Sequence, residues 1–453
     1  MTAAGSAKSP KKQVHLAAHF PGVNNTTIWN RPDSGSQIDF DSFVHLAQAA
    51  ERGKFDFFFL AEGLRLREHR GRIFDLDVVG RPDSMAVLSG LAAVTEKIGL
   101  AATLNTTFNE PFDLARQFAT LDHLSGGRAA WNAVTSPDAF TGENFRRGGF
   151  LDPALRYERA AEFIVAAKEI WDSWAEDSIV ADRDTGQFVR SGAIGAFDHQ
   201  GPEFQVHGRF VLPPSPQGYP VQIQAGDSEG GRELAARHAD VIFSRHSSLG
   251  AGQVFYADVK RRLDRYGRTP DDLKIIPAAV AVLGDSEEDA RERARQIHLD
   301  QVSPQGAIAF LEQVWGRDLS DLDPDGPLPS FDPDVEGTDT ITRGRVRHEK
   351  DPLAVAQRWR EIAEAKRLSI RQLIIEVTAR STFLGTPKQV AGQIDHAIQQ
   401  EAADGYILVP PLTPHGLDEF IDRVVPELQD RGVFRTEYAH DTLRGHLGLG
   451  PHR

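Results

Sequence analysis

The sequence predicts an α/β protein built as a (β/α)8 TIM barrel with insertion segments. Three observations lead there. Apolar runs of strand length alternate with helix-periodic stretches in about eight successive units, and such alternation implies a parallel sheet. The strand candidate Phe55–Glu62 is apolar nearly throughout, as a strand covered on both faces requires. The units follow one another along a single chain of 453 residues, which suits a closed barrel better than a doubly wound sheet.

The first strand spans Val14–Phe20 and a helix follows over Phe43–Lys54. Phe55–Glu62, FDFFFLAE, is the second strand, and Pro82–Glu96 is a helix with proline in its first turn, where no N–H is needed. Ile98–Thr107 is the third strand. The helix Pro111–Leu124 stops at Gly126-Gly127, a pair suited to a left-handed cap, and Arg128–Ser136 is the fourth strand. The rhythm continues with helix Arg156–Trp174, strand Pro220–Ala225, helix Ser228–His238 and strand Asp240–Arg245. Helix Val254–Tyr266, strand Lys274–Leu283 and helix Ser286–Asp300 come next. After a break, helix Thr386–Gln400, strand Gly405–Pro410 and helix Leu417–Gln429 complete the series.

Residues 1–12 read as a flexible N-terminus and 13–447 as one domain, with insertions at about 186–218 and 301–375. Gly186–Gly218 carries short alternating apolar segments and turn residues, and reads as a β-hairpin excursion. Arg317–Pro352 is rich in Asp, Pro and Gly without apolar period. A loop of that length is either a functional lid or a solvated linker, and both readings stand.

Composition excludes whole classes of function. The chain has no cysteine, which removes disulfides, thiolate nucleophiles, iron–sulfur clusters and cysteine zinc sites together. It has 51 Lys+Arg against 65 Asp+Glu, a net charge of −14, and no polybasic tract. Phosphate neutralisation dominates nucleic-acid binding, so that partner is not expected. The densest apolar run, Ile275–Gly284, is of strand length, well short of the roughly 18 residues of a membrane span. Met1–Lys12 has no apolar core to make a secretory signal. A cytoplasmic protein with a small-molecule substrate is expected.

The sharpest local signal is Gln224–Arg232, reading QAGDSEGGR. A buried strand ends, glycines permit a tight turn, and a helix begins near Ser228. A helix N-terminus presents unpaired N–H groups and the positive end of a dipole, so it suits a phosphate. Ser228 has two readings, as a donor to that ligand or as an ordinary N-cap. Gly230 belongs to the same turn. Neither a GxGxxG dinucleotide motif nor a GxxxxGK[ST] phosphate loop is present. Other polar residues stand at the ends of apolar strands, where a barrel keeps its active site: His19, Glu62, Thr103, Asn105 and the stretch Asn132 to Ser136, which includes Val134. They make neither a nucleophile–base pair nor a metal cluster, so no metal is expected and the reactive centre is expected to be a cofactor. Leu64–Arg72 holds four arginines in nine residues. It reads either as an anion-attracting substrate entrance or as a solvated loop paired with nearby acids.

Several motifs occur in one ordered series. Among them are His15-Leu16, Glu51-Arg52-Gly53-Lys54-Phe55-Asp56, Leu121-Asp122-His123-Leu124-Ser125-Gly126-Gly127-Arg128 and Trp131-Asn132-Ala133-Val134-Thr135-Ser136. Arg156-Tyr157-Glu158-Arg159-Ala160, the Gln224–Gly226 turn, Phe383-Leu384-Gly385-Thr386-Pro387, Gln429-Asp430-Arg431-Gly432 and Phe434-Arg435-Thr436-Glu437-Tyr438 extend it. The series resembles the bacterial-luciferase-like flavin monooxygenases, in the branch of nitrilotriacetate and dibenzothiophene-sulfone monooxygenases, over residues 13 to 447.

The resemblance implies a luciferase-like barrel and a two-component system. Reduced FMN (FMNH2), made by a separate NAD(P)H-dependent flavin reductase, meets O2 at the barrel mouth. One oxygen atom passes to the substrate, often with cleavage of a C–N or C–S bond, and the other leaves as water. By motif position Glu62, Thr103, Asn105, Val134, Arg156, Tyr157, Ser228 and Gly230 are the expected FMN contacts, with His19 and Asn132 as catalytic residues. A homo-oligomer, dimer or tetramer, is expected. The match departs from relatives at Glu62, where they carry Asp, and at Pro153, where several carry His, which puts more of the phosphate on Arg156, Tyr157 and Ser228. Amines, sulfones and flavins all stand as substrates. Two other readings keep the barrel: a deazaflavin-dependent hydride-transfer oxidoreductase and a non-catalytic flavin-binding protein.

Overall fold

Strands buried on both faces need two separate cores, and the chain builds both. The computed structural model describes residues 11–450 except 23, 25, 74–78, 137–138, 146–154, 191, 193, 247, 336–341 and 344–350. Nine strands join in one sheet: β1 His15–Phe20, β2 Phe57–Leu60, β3 Gly99–Asn105, β4 Ala129–Val134, β5 Val221–Gln224, β6 Val241–Ile242, β7 Lys274–Ile275, β8 Ala278–Ala279 and β9 Gly405–Leu408. Their order is β7-β6-β5-β4-β3-β2-β1-β9-β8, and every neighbouring pair is parallel.

Side chains alternate across this curled sheet with the period of two that a strand imposes. Ala17, Phe57, Phe59, Ala101, Ala130, Val221, Ile223 and Ile407 form one cluster, with Leu443 and Leu447 from the C-terminal segment packed into it. Leu16, Ala18, Phe58, Leu100, Ala102 and Trp131, their neighbours in sequence, face the other way and pack with helix residues such as Leu46, Phe118 and Phe163. The first cluster is the lumen and the second the sheet–helix layer.

The helices keep the expected order with shifted ends. The helix expected at Val254–Tyr266 spans Leu249–Leu263 and tightens into a 3-10 turn over Asp264–Tyr266. The one expected over Leu417–Gln429 is two short helices, Asp418–Arg423 and Val425–Asp430. Pro426 lacks an N–H and crowds the preceding turn, so the break falls there. The strand expected over Lys274–Leu283 is three pieces. Pro277 separates β7 from β8, and Ala281–Leu283 leaves the main sheet to pair with Phe383–Gly385.

Of the insertions, the first holds the antiparallel hairpin Ala196–Gln200 with Gln205–Arg209; another hairpin, Ile179–Asp182 with Gln187–Val189, starts before the expected boundary at 186. Among its described residues the second holds helices not expected from the sequence, Pro304–Trp315, Pro352–Lys366 and Ile370–Thr378, the last running past 375. They build a satellite core around Leu311, Val314, Trp315, Ile370 and Ile374. The helical spacing of Ala307, Ile308, Leu311, Val314 and Trp315 was present in the sequence, next to the Asp/Pro/Gly-rich stretch that obscured it. Much of that stretch, and residues 1–10 of the N-terminus, lie outside the described residues. Among the described residues no helix is long and apolar enough to cross a membrane.

A buried charge fixes the amino-terminal end of the sheet. Asp56 is fully buried and accepts hydrogen bonds from Leu16 N at 2.8 Å and His15 Nδ1 at 3.1 Å, and from the Arg435 guanidinium. Burial alone raises a carboxyl pKa; here Arg435 and His15 outweigh it and hold the group at about 2. A carboxylate depressed on folding contributes stability above its unfolded pKa and loses it as pH falls through the folded value. The stability difference between wild type and Asp56→Asn is therefore expected to shrink by about 2 kcal/mol between about pH 5 and pH 2. Urea unfolding of both proteins at several pH values measures it. A difference that does not change with pH would show that Asp56 is not ionised in the folded protein.

Candidate active site

The lumen positions turn polar at the carboxyl ends of the strands. Along β1, Ala17 gives way to His19; along β3, Ala101 to Thr103 and Asn105; along β4, Ala130 to Asn132. Register then sets Thr103 opposite Asn132 and Asn105 opposite Val134, and His19 opposite Phe59.

Asn132 Nδ2 donates to Thr103 Oγ1 at 2.9 Å, and both side chains are buried. Asn132 Oδ1 is buried with no partner. Asn105 donates from Nδ2 to the Glu62 carboxylate at 3.0 Å, and its own Oδ1 accepts from Thr107 N at 3.0 Å and Phe108 N at 2.7 Å. Those two bonds shape the turn after β3 and aim the amide at Glu62. The His19 ring lies against Phe59, 5.2 Å between centroids, and its Nε2 is buried without a partner. Burial, and secondarily the charge of Arg81, lower its pKa to about 3, so the imidazole is neutral at ordinary pH.

A second group stands where β5 ends, beside β4 in the sheet. Ser228 caps the helix Glu229–His238, its Oγ accepting from Gly231 N at 3.2 Å. The Tyr157 hydroxyl is hydrogen-bonded to the same Oγ at 2.8 Å. A Cβ on Gly230 would lie 2.7 Å from Tyr157 Cδ2, so the ring rests directly on the glycine. The Arg156 guanidinium sits 4.8 Å from the Tyr157 ring centroid, and its Nε is buried with no partner. Nearby acids are already engaged: Glu229 pairs with Arg262 at 2.7 Å and Asp227 with Arg245 at 3.5 Å.

The ten residues singled out in the sequence thus form two groups. Glu62, Thr103, Asn105, Asn132, Val134 and His19 stand at the strand ends; Arg156, Tyr157, Ser228 and Gly230 gather at one helix N-terminus. Of the two readings of Ser228, the structure shows the N-cap, with its Oγ also hydrogen-bonded to the Tyr157 hydroxyl. Pro153 lies outside the described residues. The arginine-rich segment divides. Arg65 contacts Glu143 at 2.6 Å and lies over the Phe140 ring, and Arg70 pairs with Asp318. Arg67 lines a cavity of about 670 Å³ together with Phe310, Trp359, Arg358 and Arg380. The sequence pointed to no metal cluster. The structure nonetheless brings His45, His415 and Asp418 together, with ligand atoms within 4.8 Å of one another. They come from chain positions 370 residues apart, a separation at which spacing carries no signal.

Two polar groups at the carboxyl end of a parallel sheet stand where α/β enzymes keep their active sites. The profile of the family described as luciferase-like monooxygenase matches residues 24–405. N-acetyl-S-(2-succino)cysteine monooxygenase of Bacillus subtilis (strain 168) is 39% identical over 97% of this chain and 98% of its own. Nitrilotriacetate monooxygenase component A of Aminobacter aminovorans is 38% identical over 93% of each chain. The crystal structure of a riboflavin lyase with modified FMN and riboflavin superposes with a TM-score of 0.77 at 27% identity, covering 97% of both chains. The chain belongs to the luciferase-like monooxygenase family and is a flavin-dependent monooxygenase.

The neutral His19 has a consequence for stability. Between its ordinary pKa of 6.5 and the folded value of about 3, the unfolded chain holds a proton that the folded chain does not. Acidification through that window therefore costs stability, by up to about 1.4 kcal/mol per pH unit. His19→Gln, which cannot titrate, is expected to show a shallower loss of stability between about pH 6 and pH 4. Chemical denaturation at each pH checks this; parallel slopes would mean that the imidazole is protonated in the fold.

Proposed function

We propose that the protein binds FMNH2 at the carboxyl end of the sheet and uses O2 to oxygenate a small organic substrate. The reduced flavin comes from a separate NAD(P)H-dependent flavin reductase. The observation that carries this reading is the juxtaposition of an anion-binding group with a polar lumen end whose amide and imidazole have unsatisfied buried atoms. Ser228, the amino end of the helix Glu229–His238, Arg156 and Tyr157 are suited to the phosphate, with Gly230 letting the Tyr157 ring lie against the helix start. Thr103, Asn105, Asn132, Val134 and Glu62 are suited to the ring system, where Asn132 Oδ1 and His19 Nε2 lack partners in the protein.

Reduced FMN supplies the two electrons that split O2, one atom going to the substrate and the other to water. The chain's own residues have three tasks. The aromatic and aliphatic lumen, Phe59 and Ile223 among its residues, excludes water below the site, which strengthens every polar contact there. Glu62 and Asn105 hold each other in a fixed orientation. His19, neutral and bearing a ring nitrogen without a partner, is able to donate or accept one hydrogen bond beside the reacting atoms without bringing a charge. A substrate whose C–S or C–N bond breaks after oxygenation is in line with relatives named for N-acetyl-S-(2-succino)cysteine and nitrilotriacetate. The same reading includes a homo-oligomer and a sheet closed as a (β/α)8 barrel. Closure is supported by the segment 274–279, bonded on one side through Ile276 N to Ile242 O and on the other through Ile407 N to Pro277 O.

Anaerobic titration with FMNH2 followed by a stopped-flow oxygen pulse tests the proposal. Tight binding of reduced flavin and slowed reoxidation relative to free FMNH2 are expected. Rapid NADH oxidation by the lone protein with FMN would sink the two-component reading. Ser228→Ala and Tyr157→Phe are each expected to weaken FMNH2 binding by about 1–3 kcal/mol, the range for hydrogen bonds to a charged group. Unchanged affinity in both, with a lowered Tm for Ser228→Ala, would leave these residues as a helix cap and its neighbour.

A further inference from the structure

His45 lies on the helix Phe40–Arg52, and His415 and Asp418 lie where the chain enters its last helices after β9. Their polar atoms converge. His45 Nε2 is 2.9 Å from Asp418 Oδ2, His415 Nδ1 is 3.2 Å from the same oxygen, and the two ring nitrogens are 3.0 Å apart. Hydrogen bonds alone do not satisfy this triangle. If both nitrogens carry protons toward Asp418, two N–H groups face each other; if only one does, the other ring's lone pair faces the carboxylate. A cation accepts all three lone pairs at once. Ligand atoms ~2.0–2.2 Å from a zinc-sized ion stand roughly 2.8–3.1 Å apart where the ligand–metal–ligand angle is near 90° and roughly 3.3–3.6 Å apart where it is tetrahedral, so the edges of the triangle fit one face of a five- or six-coordinate ion.

Other histidines with acidic neighbours lack this geometry. His199 meets Glu169 through Nδ1 and Glu162 through Nε2, so its two acids lie on opposite sides of the ring. Among the described residues, only His45, His415 and Asp418 make such a convergent group.

We propose that these three side chains form a site for one divalent transition-metal ion, separate from the flavin site, that pins the helix Phe40–Arg52 to the helix Asp418–Arg423. Two imidazoles and one carboxylate select Zn2+, Co2+, Ni2+ or Cu2+ over the harder Mg2+ and Ca2+. The His415 side chain is 56% exposed, so water completes the coordination and the ion exchanges with solvent. Bound only by the folded chain, it raises stability by mass action.

The test uses tag-free, chelator-dialysed full-length protein titrated with Co2+, whose visible d–d absorption reports nitrogen and oxygen coordination, and with Zn2+ by equilibrium dialysis. Wild type is expected to bind one ion per chain with a rise in Tm. His415→Ala and Asp418→Asn are expected to bind roughly tenfold more weakly or worse, and to show no such rise. His415 is largely exposed, so its removal leaves the core intact, and circular dichroism verifies the fold of each variant. Absence of Co2+ absorption and of Zn2+ uptake in wild type overturns the proposal, as does equal binding by wild type and His415→Ala. Either result would leave the triad as a hydrogen-bonded clasp.

Discussion

Every strand of the main sheet must satisfy two cores at once, and the rest of the molecule depends on that constraint. A helix offers one face for burial, but a strand in a covered parallel sheet offers two, and the residue period of two assigns them alternately. β1 supplies Leu16, Ala18 and Phe20 to the helix layer and Ala17 to the lumen. The same alternation runs through β2, β3 and β4. Once the register is set, the last lumen-facing position of each strand is delivered to the same end of the sheet. The site is therefore a by-product of packing: polar residues at those positions meet because the apolar residues beneath them are already in place.

The two ends of the sheet handle polarity differently. At the amino end buried charges are paired: Asp56 with Arg435 and His15, and Asp240 with Arg444 at 2.9 Å. Arg128, 2% exposed, donates to the carbonyls of Ser125, Ile98, Ala92 and Thr95 and to Thr95 Oγ1. Such groups tie strand starts to the helices and to the C-terminal segment, and losing one partner of a buried pair is costly. At the carboxyl end the buried groups are uncharged, an amide, a hydroxyl and a neutral imidazole, and Asn132 and His19 keep atoms without partners. Unpaired buried polar atoms cost free energy in the absence of a partner.

The insertions extend this scheme without altering it. The helices Pro304–Trp315, Pro352–Lys366 and Ile370–Thr378 have a core of their own, so the segment that departs most from the strand–helix rhythm is not held by the main sheet alone. Its arginines and aromatic side chains line the cavity that Arg67 also reaches. Such peripheral segments tolerate change that a doubly buried strand does not.

The sequence by itself determined the alternation of strands and helices up to about residue 300, the position of polar residues at strand ends, and the turn at Ser228. These are local: apolar run length, period and glycine placement are readable within a dozen residues. It also carried the family, through motifs that keep their order along the chain. Only the tertiary structure decided which strand ends adjoin. It showed that Asn132 bonds Thr103, that Asn105 bonds Glu62, that Tyr157 shares its hydrogen bond with Ser228, and that Pro277 divides one expected strand into two. It alone brought His45 to His415 and Asp418. Each of these joins residues far apart in sequence, and such contacts follow from register and sheet curvature, which are set by the packing of the whole chain.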